Sequence, residues 1–199
     1  MELFNAMGID KFGDGIPVSH LLTARGSFED LVKWLQHLKE VVETATGSSW
    51  EPTFIVDMCD AEVNAIVHVF GDRYRHEKII YCAWHVMRAW VKNSWCKIAA
   101  DQHPDIPGIR SSVVGELMQL MYAAGDAALS EAEVKEESLR LFREFCSKWE
   151  AYAGVQPFIK YLETQYGTRI SRWCHAISKK TLSGHATNNL LERYHGVIS

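Results

Sequence analysis

Polar and apolar positions first alternate and then fall into helical spacing, and the change comes before the midpoint of this 199-residue chain. Residues 3–10 (LFNAMGID) and 16–22 (IPVSHLL) read as two short strands around the loop KFGDG. Asp-Gly between apolar runs is a hairpin signal, and the linker length suits a hairpin with a longer turn. Ser27, with Asp30 three positions on, is a capping-box-like helix start that carries Asp in place of the usual Glu or Gln. Leu31, Trp34, Leu35, Leu38 and Val42 then repeat at helical spacing and predict an amphipathic helix over 28–43. Gly47, Ser48 and Ser49 form a turn, and Pro52 introduces the short apolar strand TFIVD, which ends at Asp57. Val63, Ile66, Val67 and Phe70 mark one face of a helix over 60–70. A charged loop, GDRYRHEK, leads into a fourth strand, IIYC.

No further strand signal follows Cys82. Trp84, Met87, Val91, Trp95 and Ile98 predict a long, largely buried helix, broken by Pro104 and Pro107. Helices follow near 110–124, 130–151, 156–166 and 170–178. Ser130 with Glu133 is a second capping-box start, and Leu139, Phe142, Cys146 and Trp149 supply the apolar face of that helix. Thr187 to Ser199 begins a last one. The order β-β-α-β-α-β followed by helices alone places the chain in the α/β class, with an all-helical insertion.

Composition narrows the classes further. With 47% apolar and 23% charged residues there is ample material for a packed core, so disorder is excluded. No stretch approaches the ~18 uninterrupted apolar residues that span a bilayer, and the N-terminus lacks a secretory pattern, so neither a membrane partner nor secretion is expected. Cysteines 59, 82, 96, 146 and 174 are odd in number, scattered and without a CxxC pair. That pattern argues for a reducing compartment, cytosol or nucleus, rather than a disulfide scaffold. The formal charge of −4 gives no global reason to expect nucleic-acid binding.

Three local motifs carry candidate chemistry. Asp57 stands at the carboxyl end of a buried strand, where open α/β sheets place ligands, and Asp60 is placed to cap the following helix. Taken alone, both are also what an ordinary strand-to-helix turn uses as caps. Cys82-Ala83-Trp84-His85 follows the last strand. Cys and His three apart can bind zinc, but zinc needs four ligands, and the adjacent pair Cys174-His175 is the one visible complement. Zinc is therefore not expected, and structural use of Cys82 and His85 is. The third motif is Thr187-Asn188-Asn189-Leu190-Leu191-Glu192, in which Thr187 or Asn188 can cap a helix and Glu192 projects from it.

In this order the motifs closely resemble the core of Mutator-like element (MULE) transposases. Asp10-Lys11-Phe12-Gly13-Asp14-Gly15-Ile16-Pro17-Val18 also looks like that family's D-x-x-G-x-G-x-P-V hairpin. The resemblance implies a ribonuclease H-like mixed sheet and a DDE set of carboxylates that holds magnesium, or manganese, for DNA cleavage and strand transfer. It assigns Asp57 to the second Asp and Glu192 to the final Glu, both as catalytic and metal-binding residues. Cys82, His85, Thr187, Asn188 and Asn189 become motif residues that are structural or orient DNA. It also implies a core over 1–85, a helical insertion over 86–180, and the start of the final core helix over 181–199. DNA as partner and a nuclear location follow from the family; a homo-oligomer is compatible with it.

The chain departs from the family at its first residues. The family's first Asp lies on a strand preceding the hairpin, whereas this sequence begins inside the second strand. Asp10 and Asp14 match hairpin positions instead. The expectation is an incomplete sheet lacking its first strand, either split or with 3–10 paired to 53–57, and a chain inactive by itself. The alternative is a domesticated DNA-binding or transcription-regulatory derivative without catalysis. From Val155 onward six basic residues against two acidic ones give a net +4, which suits a phosphate backbone and an ordinary solvated surface equally.

Overall fold

A computed structural model describes residues 2–9, 15–99, 104–122 and 130–175, with the backbone alone at Glu131. The architecture is mixed α/β, mostly helical, with small sheets. Strands β1 (Glu2–Ile9) and β2 (Gly15–Thr23) form an antiparallel pair with an irregularity between Ala6 and Met7. Strands β3 (Phe54–Val56) and β4 (Ile79–Tyr81) form a second two-stranded sheet. Among the described residues, then, the strands are split between two sheets, and β1 pairs with β2 rather than with 53–57. Asp10 and Asp14 lie outside the described residues.

The chain divides into two compact units, with the break in the described chain between Ile79 and Ile80. In the first, helix α1 (Phe28–Thr46) packs on α2 (Asp60–Phe70). Leu31, Val32, Leu35 and Leu38 are buried on α1, and Val63, Ala65, Ile66 and Val67 on α2. At about 1.5–3 kcal/mol for each large aliphatic side chain, this contact outweighs any polar one in the unit. Ser27 caps α1 by accepting from the Asp30 N–H at 3.2 Å. Gly47 ends the helix in the left-handed region (φ 66°), where its N–H reaches the Glu43 carbonyl at 2.9 Å. The β1–β2 hairpin is tied to α1 by the Trp34 indole N–H on Ser19 Oγ (2.8 Å) and by Thr23 Oγ1 donating to Asp30 (2.7 Å).

The charged segment expected to be a loop contains a short helix, α3 (Tyr74–Glu77). Its cause is one side chain. Tyr74 is 1% exposed, with its ring 5.1 Å from Phe70 and 6.3 Å from Phe54, and that anchor winds the otherwise polar run.

The second unit is a helical cluster: α4 (Ala83–Lys97), α5 (Ile106–Tyr122), α6 (Glu131–Glu150), α7 (Gln156–Tyr166) and α8 (Ile170–Trp173). Its centre is aromatic. Trp90 meets Trp173 edge-to-face at 5.3 Å and Tyr166 at 5.5 Å, and Phe142 closes on Trp173 at 5.6 Å. The Trp173 indole N–H donates to the Tyr166 carbonyl at 3.0 Å, so its polar handle is satisfied. The expected capping box of α6 is formed by Ser130 and Glu133, and Phe142, Cys146 and Trp149 are buried. Burial pushes the Cys146 thiol up to about 12, which keeps it protonated as a packing group.

Two sequence expectations need correction here. Helix α5 starts at Ile106, not near 110, because Pro107 occupies its first turn, where no N–H is needed, and Asp105 accepts from the Gly108 N–H at 3.0 Å. The buried face of α4 is also not the expected one. It carries Ala83, Val86, Trp90 and Ser94, while Trp84, Val91 and Trp95 are exposed. Both faces are apolar at helical spacing, so periodicity alone did not select between them.

Replacing Trp173 by Ala empties the aromatic centre and is expected to cost about 3–5 kcal/mol. Ser130→Ala removes only a cap and is expected to cost about 1 kcal/mol. Urea denaturation followed by circular dichroism should rank the two in that order.

Candidate functional site

Asp57 is placed by three residues of strand and one turn. The Phe54 N–H donates to the Lys78 carbonyl at 2.8 Å, β3 ends at Val56, and the chain turns through a Cys59 N–H bond to the Asp57 carbonyl at 2.8 Å. Trp50, Phe54 and Phe70 form an edge-to-face cluster that fixes the strand, with centroids 5.2–6.4 Å apart. Asp57 is therefore a half-buried carboxylate at the strand's carboxyl end. Asp60 does not take the cap position expected of it. That position falls on Cys59, which makes no side-chain cap bond, and Asp60 is the first helical residue.

Sequence reasoning missed Glu62. It sits half-buried in the first turn of α2, and burial followed by the nearby Asp57 charge raises its pKa from the ordinary 4.5 to about 7. An acidic residue immediately before the buried Val63 was the available signal. Near neutral pH Glu62 is thus partly protonated.

Cys82 follows β4 directly and is buried at the cap position of α4, and His85 stands in that helix's first turn, half-buried, edge-on to Trp84 at 4.7 Å. Asp57 belongs to the first unit, and Cys82 and His85 to the second. Cys174 and His175 have contacts of their own. The Cys174 thiol donates to the Leu120 carbonyl at 3.7 Å, and His175 stacks on Tyr122 at 5.4 Å. Thr187, Asn188, Asn189 and Glu192 lie outside the described residues.

A thiol and an imidazole do not make a magnesium site, because magnesium prefers an all-oxygen octahedron. Thiolate and imidazole suit a softer cation, yet Cys82 and His85 alone fall short of a closed structural zinc site. No particular metal follows from this pair. Of the carboxylates expected to hold magnesium, Asp57 alone is among the described residues.

The raised Glu62 has a measurable consequence. Between about pH 4.5 and 7 the folded chain holds a proton there that the unfolded chain has released. This contribution to stability is full below pH 4.5, falls as pH rises, and levels off above 7. Glu62→Gln should abolish that slope and raise stability at pH 8, read by urea unfolding across pH. An unchanged slope would place the proton elsewhere.

No curated protein and no solved structure matches the chain. A family model does match residues 1–89, the stretch from β1 into α4 that holds Asp57, Cys82 and His85. That model is described as the MULE transposase domain, and the match suggests a transposase-related function.

Proposed function

We propose that the chain carries part of a DDE-type transposase core that cleaves and rejoins DNA phosphodiesters. Asp57 would be its second acidic residue and Glu192 its last. The carrying observation is the position of Asp57, at the carboxyl end of β3 inside the matched segment. The same reading takes the core as ribonuclease H-like over 1–85, the helices over 86–180 as an insertion, and 181–199 as the return to the core. DNA is then the substrate and the nucleus the working compartment.

The chemistry explains the residue types. In-line attack on a phosphodiester builds charge on the entering and leaving oxygens, and divalent cations held by Asp57 and Glu192 would supply the charge that neutralises it. Asp57 supplies a fixed carboxylate close to the backbone turn, so little side-chain entropy is lost on forming the site. A partly protonated Glu62 keeps the local charge below that of two full carboxylates, which lowers repulsion before a cation arrives. Cys82 and His85 are structural or orient DNA, because their donor chemistry does not suit magnesium.

Manganese titration followed by electron paramagnetic resonance tests the assignment. Asp57→Asn and Glu192→Gln should each weaken manganese binding by about tenfold or more. Binding that survives both substitutions would overturn the shared carboxylate site.

A further inference from the structure

The outer face of α4 is the least expected surface of the second unit. Trp84, Arg88, Val91 and Trp95 fall on one stripe, with Trp95 62% exposed and Trp84 37% exposed. Each indole has a guanidinium over its ring: Arg88 over Trp84 at 5.1 Å and Arg110 over Trp95 at 4.6 Å. Arg110 is locked in place, since it donates to the Ile98 carbonyl at 2.8 Å and the Trp95 carbonyl at 3.2 Å. Beside Trp95 the surface dips into a cleft of about 310 Å³ lined by Val91, Pro107, Arg110, Val114 and Met118.

Helix α4 carries Arg88, Lys92 and Lys97 and no acidic residue. Asp105, just before α5, accepts from the Gly108 N–H, and Glu116 on α5 accepts from Lys148 at 2.6 Å and from the Trp149 indole at 2.9 Å.

We propose that this stripe is a stacking platform for unpaired bases of DNA. The proposal deepens the reading that the chain acts on DNA, and it rests on that reading. Flat rings backed by guanidinium, on a helix that also carries lysines, match a polyanion whose bases are exposed. Trp84 and Trp95 are three helical turns apart, about 16 Å along the axis, a span for roughly four or five stacked nucleotides. A second copy docking through the same face is disfavoured by charge, since two-fold symmetry would set Arg88 and Lys92 against their own copies.

The test is fluorescence anisotropy of a short fluorescein-labelled oligothymidine and of a duplex of equal length, titrated with the full chain. The unpaired strand should bind more tightly, and Trp95→Ala should weaken it by about tenfold while leaving the salt slope unchanged. Arg88→Gln and Lys92→Gln should each lower the salt slope by about one while keeping the preference for unpaired DNA. Circular dichroism melts check that the exposed substitutions leave the fold intact; should Trp95→Ala perturb it, Trp84→Ala carries the same expectation. Parental affinity in both tryptophan variants would overturn the proposal. So would their loss of self-association in sedimentation, which would make the face a protein interface. Manganese titration reads a different site, so failure here is separable from failure of the carboxylate assignment.

Discussion

The position of Asp57 depends on how β3 is held, and an aromatic cluster at the start of the strand holds it. Phe54 is the pivot. Its ring meets Trp50, Phe70 and Tyr74, and its backbone N–H is held by the Lys78 carbonyl. A strand of three residues has too few ladder bonds to hold a register by itself, and side-chain burial does so instead. Shifting the strand by one residue would turn Asp57 to the opposite face. The chemistry of the site is thus written in Trp50, Phe54, Phe70 and Tyr74 before it is written in any carboxylate.

Much of this was legible in sequence because it is local. Alternation gave the hairpin, and helical spacing located α1, α2, α6 and α7 to within a few residues. Ser27 and Ser130 are caps in sequence and in structure, since a cap involves only a residue and its next turn. What failed was non-local or ambiguous. Tyr74 hid inside a charged run because one aromatic has no period, and the sequence left open whether 3–10 pairs with 53–57 or the sheet is split, because pairing partners leave no mark on either strand alone. Glu62 looked like one more solvated acid until burial and Asp57 raised its pKa. Glu192 and its neighbours, named from motif order, fall outside the described residues.

The donor set sharpens the contrast between metal and motif. A site for hard cations needs oxygens, and evolution of such a site tends to surround it with carboxylates. The C-x-x-H pair of the second unit, a buried thiol and an imidazole, offers none. Cys82 can instead fill space as a small apolar group, and His85 can hydrogen-bond. On the proposed reading the oxygen donor is Asp57, and the C-x-x-H pair is structural or orients DNA.

Helix α4 shows how one sequence stretch can serve two surfaces. Its tryptophans, six and five residues apart, place Trp90 against Trp173 and Tyr166, fully buried, and leave Trp84 and Trp95 outward. Removing Trp90 would open a cavity in the aromatic centre, whereas the outward indoles contribute little to the core and are held by guanidinium groups instead. Large exposed apolar groups cost solubility unless something covers or uses them. The second unit has enough aromatic residues inside to do without these two, and on α6 Glu137 and Glu144 are paired with Arg140. A surface that stays apolar, basic and free of acids on one helix face, while the neighbouring helix neutralises its own charges, is specialised for contact with a flat and negatively charged partner.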